Sequence, residues 1–472
     1  MKILIVSKAE HKKTIDDLNH GLRLLKLLLN QSDIDEVSWL MYFGYGFSGD
    51  LQQQYELLAN SVVNNKFPKK NILAIKNDQG GLRGTTLIEA LVEDLKKSQY
   101  DLIILPTYYN ENSRYRYDYT FMTRLPQEKQ KVKMLFVGEY NLTDEAPDEI
   151  PALYTGLSAS EDDRKRLGIY TNSPFAPADV LENLVEKNKI ALITDGSLIK
   201  MEDVNFADLC SEWDDNRYDH FSFIRLCIKI AMRENRKQCT VVLDQPISVL
   251  EKHLIEIYKY ELIKKDKLFL EFKCDSAISE MKLRLVNPFP LAPETIQYIL
   301  KESHLVTGAT GDSSYVEALS KHKLVLHDYA PFGSGKSAFM KGYYLLLKNY
   351  LSPELQKLFD AAGVVTLATV DNPTSELANI VANHKTQLIT ALQQTFDEIK
   401  QHHSLENCLW PAIKSAAELE SVVAKPNVPI VAESSNSNMS EDASAKLLST
   451  NGMFAHKPVT DTDDVGHYSK VL

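Results

Sequence analysis

The chain has 472 residues, of which 44% are hydrophobic and 25% charged, a composition typical of a soluble globular protein with two or three domains. Its net charge of -11 argues against a surface that coats nucleic acid, and we expect no nucleic-acid partner. The five cysteines include no C-x-x-C pair, which argues against a disulfide framework or a zinc site. No apolar window is long enough for a membrane span, and the N-terminal apolar run is too short for a signal peptide. These features predict a cytoplasmic protein.

Short apolar runs and amphipathic stretches alternate over the first part of the chain. The runs are apolar without strict alternation, which indicates strands buried on both faces. They are Lys2–Ser7, Val37–Phe43, Asn71–Asn77, Asp101–Tyr109 and Lys133–Tyr140. The amphipathic stretches Thr14–Asn30 and Thr85–Gln99 are predicted to be helices. Strands that alternate with helices predict a parallel sheet covered on both faces.

The same alternation starts again after a connector over Asn172–Asn188. The strands predicted in this second part are Lys189–Gly196, Cys239–Gln245, Lys267–Cys274, Leu283–Pro290, His304–Gly311 and Lys323–Tyr329. The predicted fold class is α/β, with two tandem doubly wound, Rossmann-like domains that face a cleft, followed by C-terminal helices. The predicted limits are 1–175, 176–350, 351–424 for the helices and 425–472 for a disordered tail rich in Ser, Asn and Asp.

A phosphate-loop pattern, APFGSGKS, occupies Ala330–Ser337 after a predicted strand and before a predicted helix. In a nucleotidase the glycine turn would hold phosphates, Lys336 would reach the outer ones, and Ser337 would hold magnesium. Such a protein also needs several parallel strands after the loop. Only Gly363–Asn372 is a strand candidate there, so a structural glycine turn is favoured over hydrolysis of a nucleoside triphosphate.

Leu283–Phe332 shows the order strand, loop, helix, strand, small-residue turn GATGDSS, helix and strand. This pattern, with an xxEAL sequence in the second helix, resembles the donor domain of GT-B glycosyltransferases, in particular the lipid II-forming N-acetylglucosaminyltransferase type. The resemblance implies that this chain binds a nucleotide sugar and that Glu317 binds both ribose hydroxyls. Retaining members often carry a second glutamate, where this chain has Ala309, so an inverting mechanism is favoured.

The turn before the Glu317 helix is predicted to bind the donor diphosphate, because backbone amides at a helix N-terminus attract anions. Ser313 and Ser314 are expected to cap this helix and to donate to phosphate. The turn residues concerned are Gly308, Thr310, Gly311, Asp312, Ser313 and Ser314. Two further groups are assigned to the donor site: Lys336 and Ser337 near the leaving group, and Asp195, Gly196 and Ser197 on the opposite lip. The alternative for Glu317 is a solvated acid in the first turn.

The catalytic base of an inverting enzyme is expected in the segment after the first strand, which ends at the cleft. The candidates are His11, Asp16, Asp17 and His20, and Asp17 is the first choice. The sequence DDLNHG resembles, loosely, the acidic loop of bacterial protein-arginine rhamnosyltransferases, which are also GT-B proteins. Acids that cap and charge the following helix are the alternative.

The acceptor is predicted to bind at Tyr108, Tyr109, Arg114 and Arg116, which follow a strand of the first domain. The predicted function is therefore a glycosyltransferase that uses a nucleoside diphosphate sugar and needs neither a cofactor nor a metal. The sequence does not identify the acceptor, and a protein is one of the options. The alternatives are a phosphate-loop nucleotide-binding protein, a nucleotide-sugar epimerase and a non-catalytic protein of the same fold. The tail would also suit a bacterial effector exported without a cleavable signal.

Overall fold

The computed structural model describes residues 1–9, 16–43, 49–76, 92–105, 132–138, 151–158, 166–172, 183–208, 219–274, 281–309, 311–327, 334–362 and 374–418. The elements within these ranges belong to one compact unit, Met1–Val422. The predicted tail, 425–472, and the strand candidate Gly363–Asn372 lie outside the described residues.

The first sheet contains six parallel strands in the order β3-β2-β1-β4-β5-β6. Its strands are β1 (Lys2–Ala9), β2 (Glu36–Phe43), β3 (Ile72–Lys76), β4 (Leu102–Leu105), β5 (Lys133–Val137) and β6 (Ala152–Leu153). The five strands predicted for this part of the chain are confirmed. The short strand β6 was not predicted.

Strand β1 explains why these runs are apolar without alternation. Ile3 and Ile5 belong to one buried cluster, whereas Leu4 and Val6 belong to a second cluster. Neighbouring strand residues point to opposite faces of a sheet, so both faces of this sheet are covered. The helical stretch 92–97 contributes to the second cluster through Val92 and Leu95.

The other face is covered by helices α1 (Asp16–Leu29) and α2 (Gly49–Ser61). Gly21 lets α1 lie close to the sheet, because a Cβ atom at this position would stand 2.1 Å from Ser7 Oγ. This approach brings the middle of α1 to the end of the first sheet and positions His20 and Arg23.

The second sheet contains seven strands in the order β13-β12-β7-β8-β11-β10-β9. These are β7 (Val204–Asp208), β8 (Gln238–Leu243), β9 (Glu261–Lys265), β10 (Phe269–Lys273), β11 (Lys282–Val286), β12 (Val306–Ala309) and β13 (Leu324–His327). The first five strands in this order, β13, β12, β7, β8 and β11, are parallel, and β10 and β9 add an antiparallel edge. Two Rossmann-like sheets with intervening helices confirm the predicted fold class, whereas the domain limits stay predictions.

The prediction of a strand over Lys189–Gly196 is wrong, because this run lies in helix α3 (Leu184–Ile193) and the turn after it. Asn183 Oδ1 caps the helix by accepting a hydrogen bond from the Val185 amide, 2.9 Å away. The first strand of the second sheet is instead β7. The strand at the edge of this sheet beside β10, β9, was not predicted, because its residues are mostly polar and exposed, as is common for edge strands.

The remaining helices are α4 (Asp219–Arg233), α5 (Ile247–Glu256), α6 (Pro293–Glu302), α7 (Asp312–Leu319), α8 (Ser334–Lys348), α9 (Pro353–Ala362), α10 (Thr374–Asn383), α11 (Lys385–His402) and α12 (Leu405–Glu418). We call residues 1–172, which contain the first sheet, the first half of the chain, and the residues from 183 on, which contain the second sheet, the second half. Helix α12 contacts the first half. The Glu406 carboxylate accepts hydrogen bonds from the amides of Thr171 and Asn172, at 2.7–3.0 Å. Gly168, with φ of +111°, lets the chain pass the backbone of His403.

Candidate functional site

The order of the second sheet changes direction between β7 and β12. Helix α4 follows β7 toward one side of the sheet, and α7 follows β12, so a crevice is expected where these two strands end. Asp208 is the last residue of β7 and pairs in register with Ala309, the last residue of β12. Ligands of open parallel sheets bind outside such a point, which is where the sequence predicts the donor.

The predicted diphosphate turn is shorter in the structure than in the sequence pattern. Gly308 lies within β12 and pairs with strands on both sides, so it belongs to the sheet and not to the turn. Gly311 is the N-cap of α7, so Ser313 and Ser314, which were predicted to cap the helix, stand inside its first turn and not at the N-cap position. Thr310 and the side chains of Asp312 and Ser313 lie outside the described residues.

Ser314 has a different partner from the one predicted. Its hydroxyl donates a hydrogen bond to Asp208 Oδ2, at 2.6 Å. A carboxylate therefore stands at the start of α7, where an anionic diphosphate was predicted. The sequence reasoning missed Asp208 because it missed β7; the signal was present as a short apolar run, VNFAD, that ends in an acid.

Glu317 is buried on α7, with only 8% of its surface exposed, so the alternative of a solvated acid is wrong. The amide Nε2 of Gln297, on α6, donates to Glu317 Oε2. Arg23 Nη2, on α1 of the first half, lies 3.7 Å from Glu317 Oε1, and both side chains are almost fully buried. The glutamate predicted to bind ribose thus lies where helices of the two halves meet.

His20 is buried one turn before Arg23 on α1. Its Nε2 atom donates to the carbonyl oxygen of Val137 at the end of β5, 2.7 Å away, since a carbonyl can only accept. Its Nδ1 atom has no hydrogen-bond partner within the described part of the chain. Burial, assisted by the charge of Arg23, lowers the pKa of His20 to about 4, so the ring is neutral at pH 7.

Tyr170 and Tyr55 complete the surroundings of this part of α1. The Tyr170 ring lies 5.3 Å below the Arg23 guanidinium and contacts the His20 ring edge-on. The Tyr55 hydroxyl, on α2, donates to Asn19 Oδ1 at 2.6 Å. These contacts fix the position of α1 relative to Tyr170 and to helix α2.

The other base candidates lie at or before the start of α1. Asp16 and Asp17 form the first turn of this helix, and their side chains lie outside the described residues, as does His11. The predicted acceptor residues Tyr108, Tyr109, Arg114 and Arg116 also lie outside, together with the side chains of Lys336 and Ser337.

Asp195, Gly196 and Ser197 do not follow a strand, contrary to the prediction. They form a turn after α3, with φ of +50°, +65° and +77°, and the chain enters β7 only afterwards. Asp195 lies 3.4 Å from Arg284 of β11, an ion pair rather than a lip of the donor crevice. The prediction for these three residues therefore loses its basis.

A groove of about 410 Å³ lies between helices of the two halves. Its walls come from α2 and from the first turn of α6, and consist of Gln53, Gln54, Leu57, Leu58, Pro293 and Glu294. Pro293 and Glu294 precede Gln297 by one helical turn and share its face of α6. Neither Gln297 nor Glu317 lines the groove, which lies about one helical turn from Gln297 along α6.

Within the described ranges, no group of three or more His, Cys, Asp or Glu residues is placed to hold a metal ion. Over the same ranges, no helix combines the length and the apolar character needed to cross a membrane.

No protein-family model matches the chain, and no curated protein matches it. Among solved structures, S. aureus MnaA, solved with UDP, is 11% identical with a TM-score of 0.44, covering 85% of this chain and 96% of its own. The UDP-GlcNAc 2-epimerase of Methanocaldococcus jannaschii is 11% identical with a TM-score of 0.41, covering 70% and 85%. The glycosyltransferase SnogD from Streptomyces nogalater is 8% identical with a TM-score of 0.43, covering 88% and 100%.

Proposed function

We propose that this chain is a glycosyltransferase that moves a sugar from a nucleoside diphosphate sugar to an acceptor, with inversion. One observation carries the proposal. Glu317 is buried on the helix that follows β12, beside the point where the order of the second sheet reverses, and it faces α1 of the first half. A carboxylate in this position accepts hydroxyl hydrogens, and the crevice beside it is the place where such sheets bind nucleotides.

The electrostatics near Glu317 suit a neutral diol better than an anion. Arg23 Nη2 lies 3.7 Å from Glu317 Oε1, and a carboxylate in its ionised form is only an acceptor. At the start of α7 the Asp208 carboxylate offsets the positive end of the helix dipole and repels a diphosphate. Donor binding at this point therefore requires added positive charge, for which Lys336 is the predicted source.

The base that removes the acceptor proton is assigned to Asp17, with Asp16 second. His20 is less suitable, because a pKa of about 4 makes its neutral ring a weak base at pH 7. Its hydrogen bond to Val137 gives it a positioning role for α1. The assignment to Asp17 depends on its place in the first turn of α1, after the strand that ends at the crevice.

Hydrolysis of a nucleoside triphosphate by the 330–337 loop is less well supported. The strand before the loop, β13, stands at the end of the strand order of the second sheet. Beyond α8, every element within the described ranges is a helix. The parallel strands that such a nucleotidase places after its loop are therefore not among these elements.

A second candidate function is a non-catalytic protein that uses the same crevice for binding. The hydrogen bond between Ser314 and Asp208 favours this candidate, because the hydroxyl that was predicted to bind the diphosphate already donates its hydrogen to a carboxylate.

The experiment is a binding panel by thermal shift and calorimetry, followed by a turnover assay. The ligands are UDP, GDP, TDP and ADP, their common sugar conjugates, ATP and GTP. The variants are Glu317→Ala, Lys336→Ala and Asp17→Asn, with Glu302→Ala as a control that removes an exposed glutamate from neighbouring α6. Turnover is measured as release of nucleoside diphosphate from the sugar conjugate that binds.

We expect one sugar conjugate to bind, Glu317→Ala to abolish binding and Asp17→Asn to lower turnover while binding persists. Binding without turnover in the wild type, over a range of acceptors, would support the non-catalytic candidate. Binding of a triphosphate with magnesium alone, abolished by Lys336→Ala, would contradict both.

A further inference from the structure

Gln297 carries a buried acceptor atom that the fold does not use. Its side chain is 2% exposed, its Nε2 atom donates to Glu317, and its Oε1 atom has no hydrogen-bond partner within the described part of the chain. The amide cannot be reversed, because Oε1 would then face the Glu317 carboxylate, and two acceptors repel each other. Gln297 therefore presents an acceptor at a fixed position.

Buried polar atoms without partners are rare in folded proteins and call for an explanation. Such an atom weakens the fold unless a ligand supplies the missing donor. Because Oε1 can only accept, the ligand must bring an O–H or N–H group to it. A phosphate, which is rich in acceptors, does not meet this requirement.

Glu317 sets a second condition on the same ligand. Its carboxylate pairs with Arg23, 3.7 Å away, and an ionised carboxylate can accept about four hydrogen bonds. Gln297 and Glu317 thus place two acceptors side by side on neighbouring helices, α6 and α7. A neutral group with two adjacent hydroxyl donors satisfies both, and the vicinal 2′,3′-diol of ribose is such a group.

We propose that Gln297 binds the ribose diol together with Glu317 and so selects ribonucleotide donors over 2′-deoxyribonucleotide donors. This inference rests on the proposed function. It names the substrate class as sugar conjugates of UDP, GDP or ADP, and excludes those of deoxythymidine diphosphate. A site built around an acceptor for a hydroxyl rejects an analogue without that hydroxyl, because the acceptor then stays buried and unpaired.

The groove between α2 and α6 gives the rest of the nucleoside a place next to this diol. It begins one helical turn from Gln297 on the same face of α6. Its volume of about 410 Å³ is within the range of small-molecule sites. Leu57, Leu58 and Pro293 supply apolar surface suited to the faces of a planar base.

The test compares matched nucleotides by calorimetry: UDP with 2′-deoxy-UDP and 3′-deoxy-UDP, and the same sets for GDP and ADP. The variants are Gln297→Leu and Gln297→Met, which remove the acceptor at similar volume. Gln394→Leu makes the same chemical change at an exposed position of α11 and is the control. Circular dichroism melting establishes that each variant folds. The ratio of ribonucleotide to deoxynucleotide affinity in the wild type tests the proposal even if a variant does not fold.

We expect the wild type to bind one ribonucleotide about 10–100-fold more tightly than a deoxy analogue of the same base. Gln297→Leu should reduce this ratio to within about threefold, mainly by weakening the ribonucleotide, while Gln394→Leu keeps it. If ribo and deoxy forms bind the wild type equally, or if the variant keeps the ratio, the inference is overturned while nucleotide binding stands. If no nucleotide binds, the inference and the proposed function both fail.

Discussion

Replacing Arg23 by Gln removes the cation that faces Glu317 across the two halves of the chain. The guanidinium and the carboxylate are 3.7 Å apart, with 3% and 9% of their side-chain surfaces exposed. At an effective dielectric constant of about 20, two unit charges at this separation attract each other by about 4.5 kcal/mol. Removal of one partner of a buried pair costs about 3–5 kcal/mol, because the other charge stays buried. We therefore expect Arg23→Gln to lower the free energy of unfolding by about 3 kcal/mol.

A double-mutant cycle separates the pair from the other contacts of each side chain. Arg23→Gln, Glu317→Gln and the double variant are unfolded in urea, and the coupling energy is expected to be about 2–4 kcal/mol. Lys200 and Glu202 provide the matched pair: their atoms are closer, at 3.2 Å, but both side chains are mostly exposed. Their coupling is expected to stay below about 1 kcal/mol.

The cycle is measured in urea both with and without about 1 M sodium chloride. Salt screens exposed charges more than buried ones, so the Arg23–Glu317 coupling should persist while the surface coupling disappears. A coupling no larger than that of the surface pair would refute the reasoning. The carboxylate of Glu317 would then not depend on Arg23, and the two halves would not be joined through this contact.

Three further predictions concern stability. Burial lowers the pKa of His20 to about 4 in the folded chain, whereas it is 6.5 in the unfolded chain. Between these two values only the unfolded chain is protonated at His20, so the free energy of unfolding falls as the pH falls. Between pH 7.5 and 5 the wild type should lose about 2 kcal/mol more unfolding free energy than His20→Gln, and equal losses would contradict the burial effect. Gly168→Ala would place Cβ 1.9 Å from the His403 carbonyl oxygen and should cost more than about 3 kcal/mol, whereas Gly196→Ala, with φ of +65° and open space around it, should cost about 1–2 kcal/mol. Glu406→Gln should lower the melting temperature by removing the carboxylate that accepts two backbone amides, and an unchanged value would show that this contact is dispensable.

The strands of the first sheet could be predicted from sequence because they are buried on both faces. Such strands read as continuous apolar runs, and the helices between them have a separate period. The same rule misread Lys189–Gly196, because a short apolar run is equally compatible with a buried helix. Because the first strand of the second sheet was predicted at Lys189–Gly196, the actual first strand, which begins at Val204, was missed together with its last residue, Asp208.

Glu317 could be singled out from sequence, because its turn and helix form the local pattern on which the resemblance to GT-B donor domains depends. Its partners could not. Arg23 reads as one basic residue on an amphipathic helix, and Gln297 as one polar residue on another. Nothing in their local pattern distinguishes them from solvated side chains.

The amino-acid order by itself determined the alternation of strand and helix, the α/β class and the position of the turn before Glu317, because these depend on residues close together in the chain. Only the tertiary structure decided which charges meet. Helix α1 and helix α7 are brought together by the packing of two sheets, and this packing turns Arg23, Gln297 and Glu317 into one buried network. Contacts between residues far apart in the chain carry no local signal, since their energy appears only when the fold removes them from water.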